Sequence, residues 1–114
     1  MNHIPIEIAT EKGIVVFNTP GGNANAVKEL VICGLLLSSR GIIQGHLFAE
    51  GIDEIDPIKV TNLVEGNKKN FKGNELKGKT IGIVGLGSIG SLLAQSLEVM
   101  GMKVIGYDPS ISVD

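Results

Sequence analysis

Apolar and polar positions change period several times along this chain, and each change predicts an element. "PIEIATEK", residues 5–12, predicts a short helix, because Pro5 suits a first helical turn and Gly13 a stop. "GIVVFN", residues 13–18, is β-branched and aromatic and is bounded by Gly13 and Pro20, so it predicts a strand. "TPGGNANAVKELVICGLLLSSRG" predicts a turn and then a long helix, with Asn23 or Asn25 as its cap. From Ala26 to Leu37 that helix is apolar almost throughout, broken only by Lys28, Glu29 and Gly34. A helix apolar on most of its circumference must be covered on most of it. Residues 42–65 mix helical stretches with Gly45, Gly51 and Pro57 and predict helix, turn and helix. Beyond a lysine-rich linker, the pattern predicts a strand over Thr80–Val84, a helix over Ser88–Met100 stopped by Gly101, and a strand over Lys103–Tyr107. No internal repeat interrupts this order.

Composition narrows the class. The chain has 114 residues, enough for one small domain with one core. Apolar residues make up 43% and charged residues 19%, which argues against disorder. With three Phe, one Tyr and no Trp, the core must be aliphatic. A net charge of −2 gives no reason to expect nucleic acid as a partner. Residues 66–79, "GNKKNFKGNELKGK", do hold five lysines, but Phe71 is their single aromatic and offers no stacking platform. That run reads as a solvated linker. Cys33 is the only cysteine, so neither an internal disulfide nor a thiolate metal cluster is expected. Its setting in "ELVICGLLL" reads as a buried structural thiol. The N-terminal residues show no secretory pattern and the longest apolar run is too short to span a membrane, so a cytoplasmic location is expected and a membrane is not.

The chemistry concentrates in "TIGIVGLGSIG", residues 80–90. Residues 85–90 fit G-x-G-x-x-G, a weak signal alone in a chain with 16 glycines. Its context strengthens it: an apolar strand before, a helix after, and a second strand ending in Asp108, eighteen residues past Gly90. Gly85 permits a sharp turn, Gly87 lets a backbone approach a pyrophosphate, and Gly90 lets helix and strand pack closely. The helix start presents free N–H groups to phosphates, with Ser88 and Ile89 as natural donors. Asp108 is placed to accept from both ribose hydroxyls, and its charge repels a 2′-phosphate, which favours NAD over NADP. The competing reading is a glycine-rich structural turn in a non-binding α/β protein. The expected fold class is α/β, a partial Rossmann fold (doubly wound parallel sheet): the first half of an NAD-binding domain preceded by a long apolar helix.

Three stretches together, "KGIVVFNTPGGNANAVKELV", "ELKGKTIGIVGLGSIG" and "GMKVIGYDP", resemble the D-isomer-specific 2-hydroxyacid dehydrogenase family in order along nearly the whole chain. The resemblance implies a two-domain enzyme with NAD as cofactor and a small 2-hydroxy acid as substrate. It places residues 1–19 at the end of a substrate-domain segment and residues 20–114 in the N-terminal half of the NAD-binding domain. It adds Pro109 to the cofactor residues Gly85, Gly87, Ser88, Ile89, Gly90 and Asp108. It also implies that Asn23 lies near nicotinamide and substrate, where its amide could hold a carboxylate or carbonyl; a helix cap is the equal alternative. The family's catalytic Arg, Glu and His match no position here. His3, His46 and Arg40 are not read as catalytic: His46 reads as a polar helix residue and Arg40 as a cation closing the long helix. Two positions depart from the family pattern. Ser88 stands where many members have Arg, and Lys28 where Ala is common.

These readings leave three expectations to separate. The chain is part of an NAD-dependent dehydrogenase that does not turn over by itself, or it is a non-catalytic nucleotide-binding or assembly module. In either case the 24–40 helix is expected to form a homodimer or intertwined homo-oligomer, because a small parallel sheet with open edges and an uncovered apolar helix recruit other chains.

Overall fold

The computed structural model describes residues 3–111. Seven helices and strands follow in order: α1 (Ile6–Glu11), α2 (Ala24–Ser39), α3 (Ile42–Glu50), α4 (Pro57–Asn67), β1 (Thr80–Val84), α5 (Ser88–Val99) and β2 (Lys103–Tyr107). A 3-10 turn, Lys68–Phe71, follows α4.

β1 and β2 pair in parallel, in a register running from Thr80 opposite Lys103 to Val84 opposite Tyr107. Parallel neighbours need a crossover, and α5 supplies it. Gly90, Leu93 and Leu97 are buried on α5 at helical spacing, so one stripe of the helix faces the sheet. Leu97 is fully buried, at 0% exposure, among Leu76, Ile83, Leu93 and Met102. Val31, Ile32 and Leu35 bring one face of α2 onto this core. The opposite sheet face is open: Val84 is 84% exposed and Tyr107 63%.

Three expectations are corrected. The expected strand at 13–18 is extended backbone without a ladder. No strand among the described residues runs beside it, and β conformation persists only where a neighbour satisfies its N–H and C=O groups. Ile14 N–H instead donates back to the Ala9 carbonyl at 2.8 Å, folding the segment onto α1. Cys33 is exposed, because α2 is covered on one face only and Cys33 lies on the other. The lysine-rich run is partly docked rather than solvated: Asn74 N–H donates to Ser39 O at 2.9 Å, Gly41 N–H to Phe71 O at 3.3 Å, and the Phe71 and Phe48 rings lie 5.3 Å apart. The expected helix, turn and helix over 42–65 appear as α3 and α4. Asp56 caps α4 by accepting from Ile58 N–H at 2.9 Å, with Pro57 in the first turn.

Candidate functional site

The fingerprint turn joins β1 to α5. Gly85 has φ +98°, a backbone that favours glycine, and its N–H donates to Tyr107 O at 2.7 Å. The turn is thereby fastened to the end of β2. Gly90 packs so closely that a Cβ there would lie 2.0 Å from the Gly85 carbonyl oxygen. Over Gly85 and Gly87 a Cβ would meet nothing within 4 Å, so the backbone there is open to a ligand. The first intrahelical bond runs from Ser91 N–H to Gly87 O at 2.9 Å. The N–H groups of Ser88, Ile89 and Gly90 therefore lack an intrahelical acceptor and carry the positive end of the helix dipole.

Asp108 follows β2 directly. Its Oδ2 accepts from Leu86 N–H and its Oδ1 from Ser110 N–H, each at 2.8 Å. The second bond makes an Asx turn with Pro109 at its corner. The Leu86 N–H, and after it the Ser110 N–H, hold the Asp108 carboxyl below its ordinary value. The group is an anion at neutral pH. A carboxylate has about four acceptor sites. Two are used within the chain, leaving two for the vicinal hydroxyls of a ribose.

The structure also brings the upstream loop to this turn. A Cβ on Gly21, which has φ +75°, would lie 3.7 Å from Ser88 Oγ. Asn23, two residues on, occupies the N-cap of α2, but its side chain makes no capping bond. Its exposed amide remains available, which weighs against the cap alternative. Asn25 is exposed within the first turn of α2. The histidines stay apart from the turn's chemistry: His3 is exposed, and His46 lies 3.5 Å from Glu50 on the surface of α3. Arg40 caps the end of α2. Among the described residues no cluster of His, Cys, Asp or Glu could hold a metal ion.

Sequence reasoning missed three participants: Leu86, Ser91 and Gly106. Ser91 Oγ donates to Leu86 O at 2.8 Å, and Leu86 lies over Gly106. Gly106 did carry a signal, since a glycine inside a strand marks a close approach.

Residues 51–114, more than half of the chain, match the family model "D-isomer specific 2-hydroxyacid dehydrogenase, NAD binding domain". The chain belongs to this family. D-3-phosphoglycerate dehydrogenase of Homo sapiens is 40% identical over 98% of the chain, and hydroxypyruvate reductase of Thermotoga maritima 38% identical over 96%. The chain spans 19% of the first of these relatives and 32% of the second. Among solved structures, NAD+-bound 3-phosphoglycerate dehydrogenase of Entamoeba histolytica superposes over all of this chain and 30% of its own, with a TM-score of 0.66 and 34% identity. D-2-hydroxyisocaproate dehydrogenase gives a TM-score of 0.72 at 26% identity, again over all of this chain and 31% of its own. The residues present fit the family's cofactor: open backbone over Gly87, free amides at the start of α5, and an anionic Asp108 with acceptor capacity to spare. NAD, when bound in this family, supplies the hydride acceptor.

Proposed function

We propose that this chain is the opening half of the NAD-binding domain of an NAD-dependent D-2-hydroxyacid dehydrogenase that oxidises 3-phosphoglycerate to 3-phosphohydroxypyruvate, a step of serine biosynthesis. The division follows the sequence reading: residues 1–19 end a substrate-domain segment and residues 20–114 begin the NAD domain. The observation that carries the reading is the Asp108 carboxylate, anchored to the glycine turn and still able to accept two hydroxyls. Gly85, Gly87 and Gly90 shape the turn, Ser88 and Ile89 donate to the pyrophosphate, and Pro109 sets the Asx turn beside the ribose. Asn23 reaches toward nicotinamide and substrate, supported by the proximity of Gly21 in its loop to Ser88. The similarity to a hydroxypyruvate reductase supports a second reading, in which the substrate is another 2-hydroxy acid. Homodimerisation and a cytoplasmic location complete the proposal. The exposed apolar helices support the first, and the small water-soluble acids in the relatives' names support the second.

Isothermal titration with NAD and NADP tests it. NAD is expected to bind and NADP to bind at least tenfold more weakly, since a 2′-phosphate would meet the Asp108 anion. Equal affinity for the two, or binding of neither, overturns the reading. No turnover of 3-phosphoglycerate is expected from these 114 residues alone.

A further inference from the structure

Leu86 stands between the first two fingerprint glycines, and its backbone is held on both sides. Its N–H donates to Asp108 Oδ2 at 2.8 Å and its C=O accepts from Ser91 Oγ at 2.8 Å. Its side chain is seated on Gly106, where a Cβ would come within 2.9 Å of both Leu86 methyl carbons. The Ser91 bond is unusual. A helical serine that bonds backwards ordinarily donates to a carbonyl three or four residues earlier. Ser91 is the fourth residue of α5, and its own N–H already uses the carbonyl four residues back, that of Gly87. Its hydroxyl passes beyond the helix to Leu86. One residue thus binds two successive carbonyls of the turn.

The consequence follows from the peptide bond. In a trans peptide the C=O and the following N–H point in opposite directions. Holding the Leu86 carbonyl toward Ser91 therefore turns the Gly87 N–H away from Ser91, on a residue that is itself exposed. We propose that Ser91 is a positioning residue of the dinucleotide site: its hydroxyl fixes the Leu86–Gly87 peptide so that the Gly87 N–H is presented to a phosphate oxygen before the ligand arrives. The proposal rests on the NAD-binding reading and deepens it. Ser88 offers only a hydroxyl and its one backbone N–H to that phosphate, so the orientation of each neighbouring N–H weighs more.

The test compares the chain with Ser91→Ala and Ser91→Thr, measuring calorimetric affinities for NAD, ADP and adenosine and following the Gly87 amide by NMR. Ser91→Ala is expected to weaken NAD and ADP about threefold to tenfold, the loss of one ordinary hydrogen bond, to leave adenosine unchanged, and to shift the Gly87 amide in the free protein. Ser91→Thr, which keeps the hydroxyl, is expected to retain wild-type affinity. An equal loss for adenosine and ADP overturns the proposal, because a merely structural role would lower both. Unchanged NAD affinity in Ser91→Ala overturns it too, while the NAD reading stands. Absence of NAD binding by the wild-type chain overturns both.

Discussion

At the residue scale, the Asp108 carboxylate is the group on which the proposed ribose site depends. Its bond to Leu86 spans 22 residues of sequence and ties the tip of β2 to the glycine turn. The Leu86 and Ser110 N–H groups lower its pKa, so those bonds stabilise the fold at any pH above the unfolded carboxyl value, roughly 3.9. That contribution is lost only as pH falls through the lower, folded value. The Leu86 amide shift, followed by NMR against pH, is therefore expected to titrate with a midpoint below the usual aspartate range. Asp108→Asn is expected to abolish that transition. It should also narrow the proposed preference for NAD over NADP, since the charge that would repel a 2′-phosphate is gone. A Leu86 midpoint at or above the usual range would mean that this amide does not bond to the carboxylate. The carboxylate and the three glycines were legible in the sequence because their roles depend on local backbone and fixed spacing. Ser91 was not: its partner is outside its own helix, and no periodicity distinguishes such a serine from a surface one.

At the element scale, the βαβ unit was legible and the segments around it less so. β1, α5 and β2 carry their own instructions: an apolar run, a glycine stop at Gly101, and an interior stripe of Gly90, Leu93 and Leu97. The 13–18 segment has strand composition, but composition cannot supply a ladder partner. The run at 66–79 looked like a linker because lysines dominate it, whereas glycines decide how it packs. Gly73 lies against the end of α2 so closely that a Cβ would meet Ser39 O at 1.9 Å and Arg40 Cα at 2.8 Å. Both are backbone atoms and cannot rotate aside. Gly73→Ala is expected to cost about 1–3 kcal/mol, the range for forced overpacking. It should also release the segment, seen as faster tryptic cleavage at Lys68, Lys69 and Lys72. Gly66, inside α4 with nothing within 4 Å, is the contrast. Gly66→Ala is expected to stabilise by roughly 0.5–1 kcal/mol, because alanine loses less backbone freedom in a helix. Equal melting temperatures for the two variants would show that the segment is not docked.

For the whole molecule, shape is the guide to assembly. The described chain measures 71 × 41 × 17 Å with a radius of gyration of 22.2 Å, where a compact domain of about 100 residues has roughly 13 Å. Its accessible surface is 8980 Å², against roughly 6,000 Å² for a compact monomer of this mass. Exposed large apolar side chains occur on α2, α3 and α4, where Leu30 is 71% exposed, Leu47 61% and Ile58 73%. Large contiguous apolar patches on soluble chains mark interaction surfaces, and a stable dimer needs only about 1,200–2,000 Å² of buried surface. Light scattering is expected to give twice the chain mass of 12.0 kDa at micromolar concentration. Leu30→Lys and Leu47→Lys discriminate cleanly. On a solvated surface such substitutions change stability by no more than about 0.5 kcal/mol. In a self-associating interface each would bury an unpaired ammonium and shift the equilibrium toward monomer. A folded wild-type monomer, or a dimer indifferent to both lysines, would rule out the α2–α4 face as the site of assembly.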